Sequence, residues 1–104
     1  MVRIMSNTID NYAKFIGTQQ EIHRIIGFLI QNEIPYLTGN VVVGVDSSNH
    51  FGKVVHDLTL RFDTENTPAD LLMRAITDLF PEITLQGWFA FDGEITEWED
   101  ELDL

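Results

Sequence analysis

The period at which apolar residues recur changes along the chain, and each change predicts an element. In IDNYAKFIG, residues 9–17, Ile9, Tyr12 or Ala13, Phe15 and Ile16 stand in short apolar positions before a Gly, which predicts a first strand. Thr18 opens TQQE, where the Thr hydroxyl and the Glu21 carboxylate can satisfy the free amides of a first helical turn. Ile22, Ile25, Ile26, Leu29 and Ile30 then recur at spacings of three and four, so one apolar stripe runs down a helix over 19–32. Asn32 and the later Pro35 mark its end.

From Asn40 the period shortens. VVVGV (41–45) is β-branched and too short for a helix, while DSSNHFGK (46–53) is dense in turn formers, so a strand leading into a hairpin loop is expected. The returning segment alternates, with Val54, Leu58, Leu60 and Phe62 on one face and Val55, Asp57, Thr59 and Arg61 on the other. A second helix start follows, with Thr67 as cap, Pro68 where its missing amide costs nothing, and Asp70 favourable to the helix dipole. Its stripe is Leu71, Leu72, Ala75, Ile76, Leu79 and Phe80, and Pro81 stops it. ITLQGWFAF alternates again, with Ile83, Leu85, Phe89 and Phe91 opposed to Thr84, Gln86, Trp88 and Ala90. Asp92-Gly93 suits a two-residue hairpin turn that needs positive φ twice, and it would set Phe91 opposite Glu94, Phe89 opposite Thr96 and Trp88 opposite Glu97.

The order β-α-β-β-α-β plus a C-terminal hairpin strand predicts an α+β, ferredoxin-like antiparallel sheet with two helices packed on one face. Residues 1–98 read as a single ferredoxin-like domain and residues 99–104 as a free acidic C-terminal tail. A chain of 104 residues that is 44% hydrophobic has the material for one core without staples. It contains no cysteine, which removes disulfides and thiolate metal sites. No segment reaches the length of an apolar membrane span, and MVRIMSNTIDNY has no apolar run of the secretory kind, so a cytoplasmic protein is expected.

Charge alters this picture through its placement. Residues 1–91 hold ten acids and six bases, a balance of −4, whereas residues 92–104 hold seven acids and no base. An acidic surface repels phosphate backbones and anionic lipid, which argues against direct nucleic acid or membrane binding and toward a basic partner or plain solubility.

Catalytic chemistry finds little to use. His23, His50 and His56 are scattered, Ser47 and Ser48 lack a nucleophile elbow, and the glycines form neither a phosphate loop nor a dinucleotide fingerprint. Asp92, Gly93, Ile95 and Glu99 match four places of a calcium loop, but Trp88 and Ala90 would then occupy its first ligand places. A looser divalent site among Glu97, Asp100 and Glu101 is the remaining metal reading. The expectation is therefore no enzyme activity and no cofactor.

Trp88 should lie on the sheet face that the helices leave open, where an aromatic beside carboxylates can anchor a protein contact, unless it packs over Arg61 or a dimer covers that face. The candidate partner-binding residues are Trp88, Asp92, Glu94, Glu97, Trp98, Glu99, Asp100, Glu101 and Asp103.

NYAKFIGTQQEIHRIIGFL near the start, taken with PADLLMRAITDLFPEITLQGWFAF near the end, resembles small ferredoxin-like domain proteins encoded by phages, plasmids and other mobile elements. The resemblance implies an accessory protein that blocks or modulates a host factor, with no catalytic residues to carry over. Similar acidic proteins act as nucleic-acid mimics, although here the excess charge sits in the last 13 residues, so a duplex-like double row is not evident. Together these readings give a non-enzymatic acidic protein-binding module, an inhibitor or modulator of a basic, nucleic-acid-handling protein. The alternatives are a self-associating domain, such as a homodimer through the open face, and a domain responsive to a small ligand or divalent metal.

Overall fold

In the computed structural model, which describes residues 7–104, strict alternation along β1 (Thr8–Gly17) puts Ile9, Asn11, Ala13 and Phe15 on one buried face. The following elements are α1 (Gln19–Gln31), β2 (Leu37–His50), β3 (Lys53–Glu65), α2 (Asp70–Leu79), β4 (Thr84–Phe91), β5 (Glu94–Glu97) and α3 (Trp98–Glu101). The strands form one antiparallel sheet in the order β2-β3-β1-β4-β5. The chain is α+β, with β1 at the sheet's centre between β3 and β4.

Leu58, Leu60 and Phe62 of β3 and Leu85 and Phe89 of β4 share the buried face of β1, and Ile22 and Ile25 of α1 and Leu72, Met73 and Ile76 of α2 close over it, whereas Leu71 and Leu79 of the expected α2 stripe and Ile30 of the α1 stripe are exposed. A stripe of side chains must find an apolar surface, and the inward half of an alternating sheet is the surface on offer. The box around α1 forms as expected: Thr18 Oγ1 accepts from the Glu21 amide at 3.2 Å, and the Thr18 amide donates to Glu21 Oε1 at 3.0 Å. The terminal hairpin also takes the expected register, with Phe91 opposite Glu94, Phe89 opposite Thr96 and Trp88 opposite Glu97. Asp92 and Gly93 carry the positive φ that such a turn requires, 51° and 80°.

Three expectations are corrected. The turn-rich stretch 46–53 is mostly strand: β2 and β3 pair continuously from Val42 opposite Arg61 to His50 opposite Lys53, and only Phe51 and Gly52 turn, with φ of 52° and 81°. Hairpin pairing supplies backbone partners locally, so polar side chains on a projecting ribbon need only point outward; the Asn49 carboxamide oxygen helps by accepting the Gly52 amide at 3.0 Å. This ribbon contributes to an elongated shape of 61 × 27 × 22 Å.

The second helix does not begin behind Thr67. It begins at Asp70 behind Ala69, whose side chain cannot cap, and the cap comes from another element. Asn11, 0% exposed in β1, accepts the Ala69 amide on Oδ1 at 3.0 Å. The Asn11 Nδ2 group donates to Thr64 Oγ1 at 2.9 Å and to the carbonyls of Ile9 and Phe62 at 3.2 and 3.3 Å. Thr64 Oγ1 in turn donates to the Thr67 carbonyl at 2.6 Å, so the two buried polar side chains tie β1 and β3 to the start of α2.

Nor do residues 99–104 form a free tail. Trp98 opens α3 and Leu102 closes it, and both lie in the core, which therefore crosses the expected domain boundary at 98. Their spacing of four places them on one side of a helical turn, so an apolar pair inside an acidic run is pulled onto the sheet while the acids face outward.

Candidate functional site

Alternation that buries one face of β1, β3 and β4 exposes the other. Tyr12 and Trp88 are direct partners across β1 and β4 and stack with ring centroids 5.7 Å apart and planes at 28°. The Arg61 guanidinium lies 5.5 Å from the Trp88 ring centre. The same guanidinium donates from Nη2 and Nε to the two Asp10 carboxylate oxygens at 2.8 and 3.2 Å. Those hydrogen bonds first, and Coulomb attraction to Asp10 second, push the Arg61 pKa above its ordinary value. The open face is thus centred on a fixed stack of aromatic rings and one paired guanidinium, with Trp88 half-buried, so the packing over Arg61 that stood as the alternative to a free anchor is what the structure has.

The acidic end is held next to it. Asp92 occupies the β4–β5 turn, Glu94 and Glu97 lie on β5, Glu99, Asp100 and Glu101 lie on α3, and Asp103 follows with a φ of 59°; all seven are exposed. Glu97, directly across from Trp88, carries negative charge to the border of the aromatic stack. Because β5 pairs only with Trp88–Phe91, no strand pairs with the outer side of Thr84–Gly87 among the described residues. A cleft of about 280 Å³ opens there, lined by Leu85, Gln86, Gly87, Trp88, Glu97 and Glu99. Two carboxylates in one slot beside Trp88 suit a Lys or Arg side chain from another molecule.

Trp98 is removed from the expected contact set. It is 0% exposed, packs 5.0 Å from Phe89 between ring centres, and donates its indole N–H to the Tyr12 carbonyl at 2.8 Å. Gly87 makes room for this arrangement: its φ is 119°, and a Cβ there would stand 2.2 Å from the Tyr12 carbonyl oxygen. Trp98 therefore positions the acidic end and contributes no contact area. Sequence alternation had placed Trp88 on the open face, but it did not single out Tyr12 and Asp10, because their roles depend on cross-strand register. The buried Asn11 carried a readable signal, a polar residue at an inward place between Ile9 and Ala13.

Elsewhere the surface shows little of catalytic type. His23 is exposed and His56 half-buried, on separate elements, and the His50 side chain lies outside the described ones. Among the described residues no three His, Asp or Glu side chains converge to hold a metal ion, and no helix is long and apolar enough to cross a membrane.

No family model matches the sequence, and comparison with curated proteins finds no match. Solved structures do match in shape. CutA from Synechococcus elongatus, solved with a Bis-Tris molecule, aligns over 85% of this chain and 83% of its own at a TM-score of 0.51 and 12% identity. A DUF3240 family protein from Shewanella baltica aligns over 77% of this chain and 86% of its own at 0.50 and 12% identity. The de novo designed protein Foldit4 aligns over 80% and 96% at 0.55, again with 12% identity. At this identity the likeness is one of fold alone.

Proposed function

We propose that this ferredoxin-like domain is a non-enzymatic binding module whose acidic β4–β5–α3 end and neighbouring Trp88 face engage a basic surface on a partner protein. The observation that carries the reading is the juxtaposition of seven exposed carboxylates, with no base among residues 92–104, and a cleft where Glu97 and Glu99 flank the Trp88 indole. Carboxylates on an ordered hairpin and helix need no further ordering on contact, so more of their attraction survives as affinity than on a loose tail. The long-range field speeds encounter, and a cationic side chain entering the cleft meets the Glu97 and Glu99 carboxylates beside the Trp88 side chain. A nucleic-acid-handling protein, whose own surface is built for phosphates, is the partner class that fits this charge. The resemblance to mobile-element accessory proteins points the same way, toward inhibition or modulation of such a partner.

The burial of Leu102 shapes the test. Deleting 99–104 would damage the core, so charge is removed by substitution instead, Glu94→Gln, Glu97→Gln, Glu99→Gln and Glu101→Gln together, with Trp88→Ala as a separate variant. Immobilised protein is exposed to cell lysate at low and high salt. A basic protein that wild type retains at low salt, and that both variants release, is the expected outcome. Equal retention by the charge-neutralised form would defeat the proposal.

A further inference from the structure

We infer that the outer edge of β2 is a docking strand for β2 of a second copy of this chain, independently of the heteromeric reading above. β2 is 14 residues long and stands at the end of the sheet, so one side of its backbone is free to pair among the described residues. Edges left open in stable proteins are guarded by charge, proline or brevity. This one is long and has no proline, and from Tyr36 to Gly52 Asp46 is its single charged residue; the register shift between Thr38 and Val42 leaves a regular edge from Val42 to His50. Val42, Val43 and Val45 along it are 68%, 56% and 59% exposed. The opposite edge is guarded, since β5 has four residues and two of them are Glu94 and Glu97.

Charge selects a copy of the same chain as occupant. A molecule of net charge −11 repels its own kind, yet seven of its seventeen acids, with no base among them, sit at the β4–β5–α3 end, on the far side of the sheet from β2. Pairing β2 with β2 joins two nearly neutral strips and holds the acidic ends as far apart as the sheet allows. Antiparallel pairing about a twofold axis also lets identical strands meet valine to valine, a self-complementary contact.

Area sets the strength. The regular stretch from Val42 to His50, at about 3.3 Å per residue on a strip about 10 Å thick, covers roughly 300 Å² per copy, or about 600 Å² in total. That falls short of the roughly 1,200 Å² of a standard interface. Further apolar surface for the second copy lies beside the strand, where Ile26, Leu29, Ile30, Ile34, Val41 and Val43 line a groove of about 220 Å³ between α1 and β2. Interfaces below about 1,200 Å² belong to the weak, transient class, so the expected dissociation is micromolar or weaker.

Sedimentation equilibrium over about 1–300 µM reaches that range. Wild type should move from the 11.9 kDa of one copy toward twice that mass as concentration rises, and at lower concentration when salt is added. Val42→Lys with Val45→Lys, two exposed positions outside that groove, should stay at the single-copy mass, with the circular dichroism spectrum and melting midpoint compared with wild type to show that the fold is kept. Ile95→Lys, on the guarded edge, should behave as wild type. A wild-type mass of one copy throughout, or association that survives both lysines, would overturn the inference.

Discussion

Asn11→Ala tests the buried polar tie between the sheet and α2. The side chain is 0% exposed and joins four groups, donating to Thr64 Oγ1 and the Ile9 and Phe62 carbonyls and accepting the Ala69 amide. Thr64 can keep its bond to the Thr67 carbonyl, so the amide of Ala69 is the group left without this partner, in a residue that is 5% exposed. One orphaned buried donor costs about 1–3 kcal/mol. The vacated amide volume adds a cavity contribution, so the expected loss is about 2–4 kcal/mol. For a domain of this size that lowers the melting midpoint by on the order of 10–30 °C. Urea unfolding followed by tryptophan fluorescence suits the measurement, because Trp98 moves from full burial to water. Thr64→Val and the double variant complete a cycle in which the two changes together should cost at least about 1 kcal/mol less than their sum. Asn11→Asp should be worse at neutral pH, because a carboxylate accepts and cannot donate to the two carbonyls. Burial then raises its folded-state pKa above the unfolded value, so the folded state binds more protons and stability falls as pH rises through the unfolded value. A loss below about 1 kcal/mol for Asn11→Ala, or strictly additive single changes, would refute the reasoning.

Gly87→Ala should destabilise by more than about 2 kcal/mol, since φ there is positive and the added methyl meets the Tyr12 carbonyl; chemical denaturation measures it, with a red shift of Trp98 emission as the local sign. Leu102→Ala should cost about 2–5 kcal/mol, whereas Asp103→Asn should be close to silent, a contrast visible in thermal melts and absent if 99–104 were a loose tail. Calcium and magnesium at matched ionic strength should leave the midpoint unchanged, because no three ligating side chains converge among the described residues; a rise specific to calcium would reveal a cation site. The Arg61 guanidinium, its folded-state pKa raised further above the unfolded one by Asp10, stays charged at every pH where the fold is stable; its contribution is complete below the unfolded value, so a pH series of melts from neutral to mildly alkaline conditions should show no difference in slope between wild type and Arg61→Met.

Local chemistry accounts for much of what could be read along the chain. The capping box at Thr18 and Glu21, the α1 stripe from Ile22 to Leu29, the alternation of β3 from Leu58 to Phe62 and the Asp92-Gly93 turn each depend on residues within a few places of one another. Their outcome was legible for that reason. The same alternation placed Trp88 on the open face. The corrected features depend on partners distant in sequence. Thr67 looked like a cap until Asn11, 58 residues away, supplied the bond to Ala69. DSSNH looked like a loop until β3 offered it a ladder.

The acidic end makes the division plainest. Sequence alone determined that residues 92–104 carry seven negative charges and two large apolar anchors, Ile95 and Trp98. Only the tertiary structure decided that Trp98 and Leu102 enter the core while the carboxylates stay outside, and that Glu97 and Glu99 come to flank Trp88. Charge is a property of composition and survives any conformation. Which side of a side chain meets water depends on the space between Phe89 and Tyr12, and that space exists only once β1, β4 and the Gly87 backbone have come together.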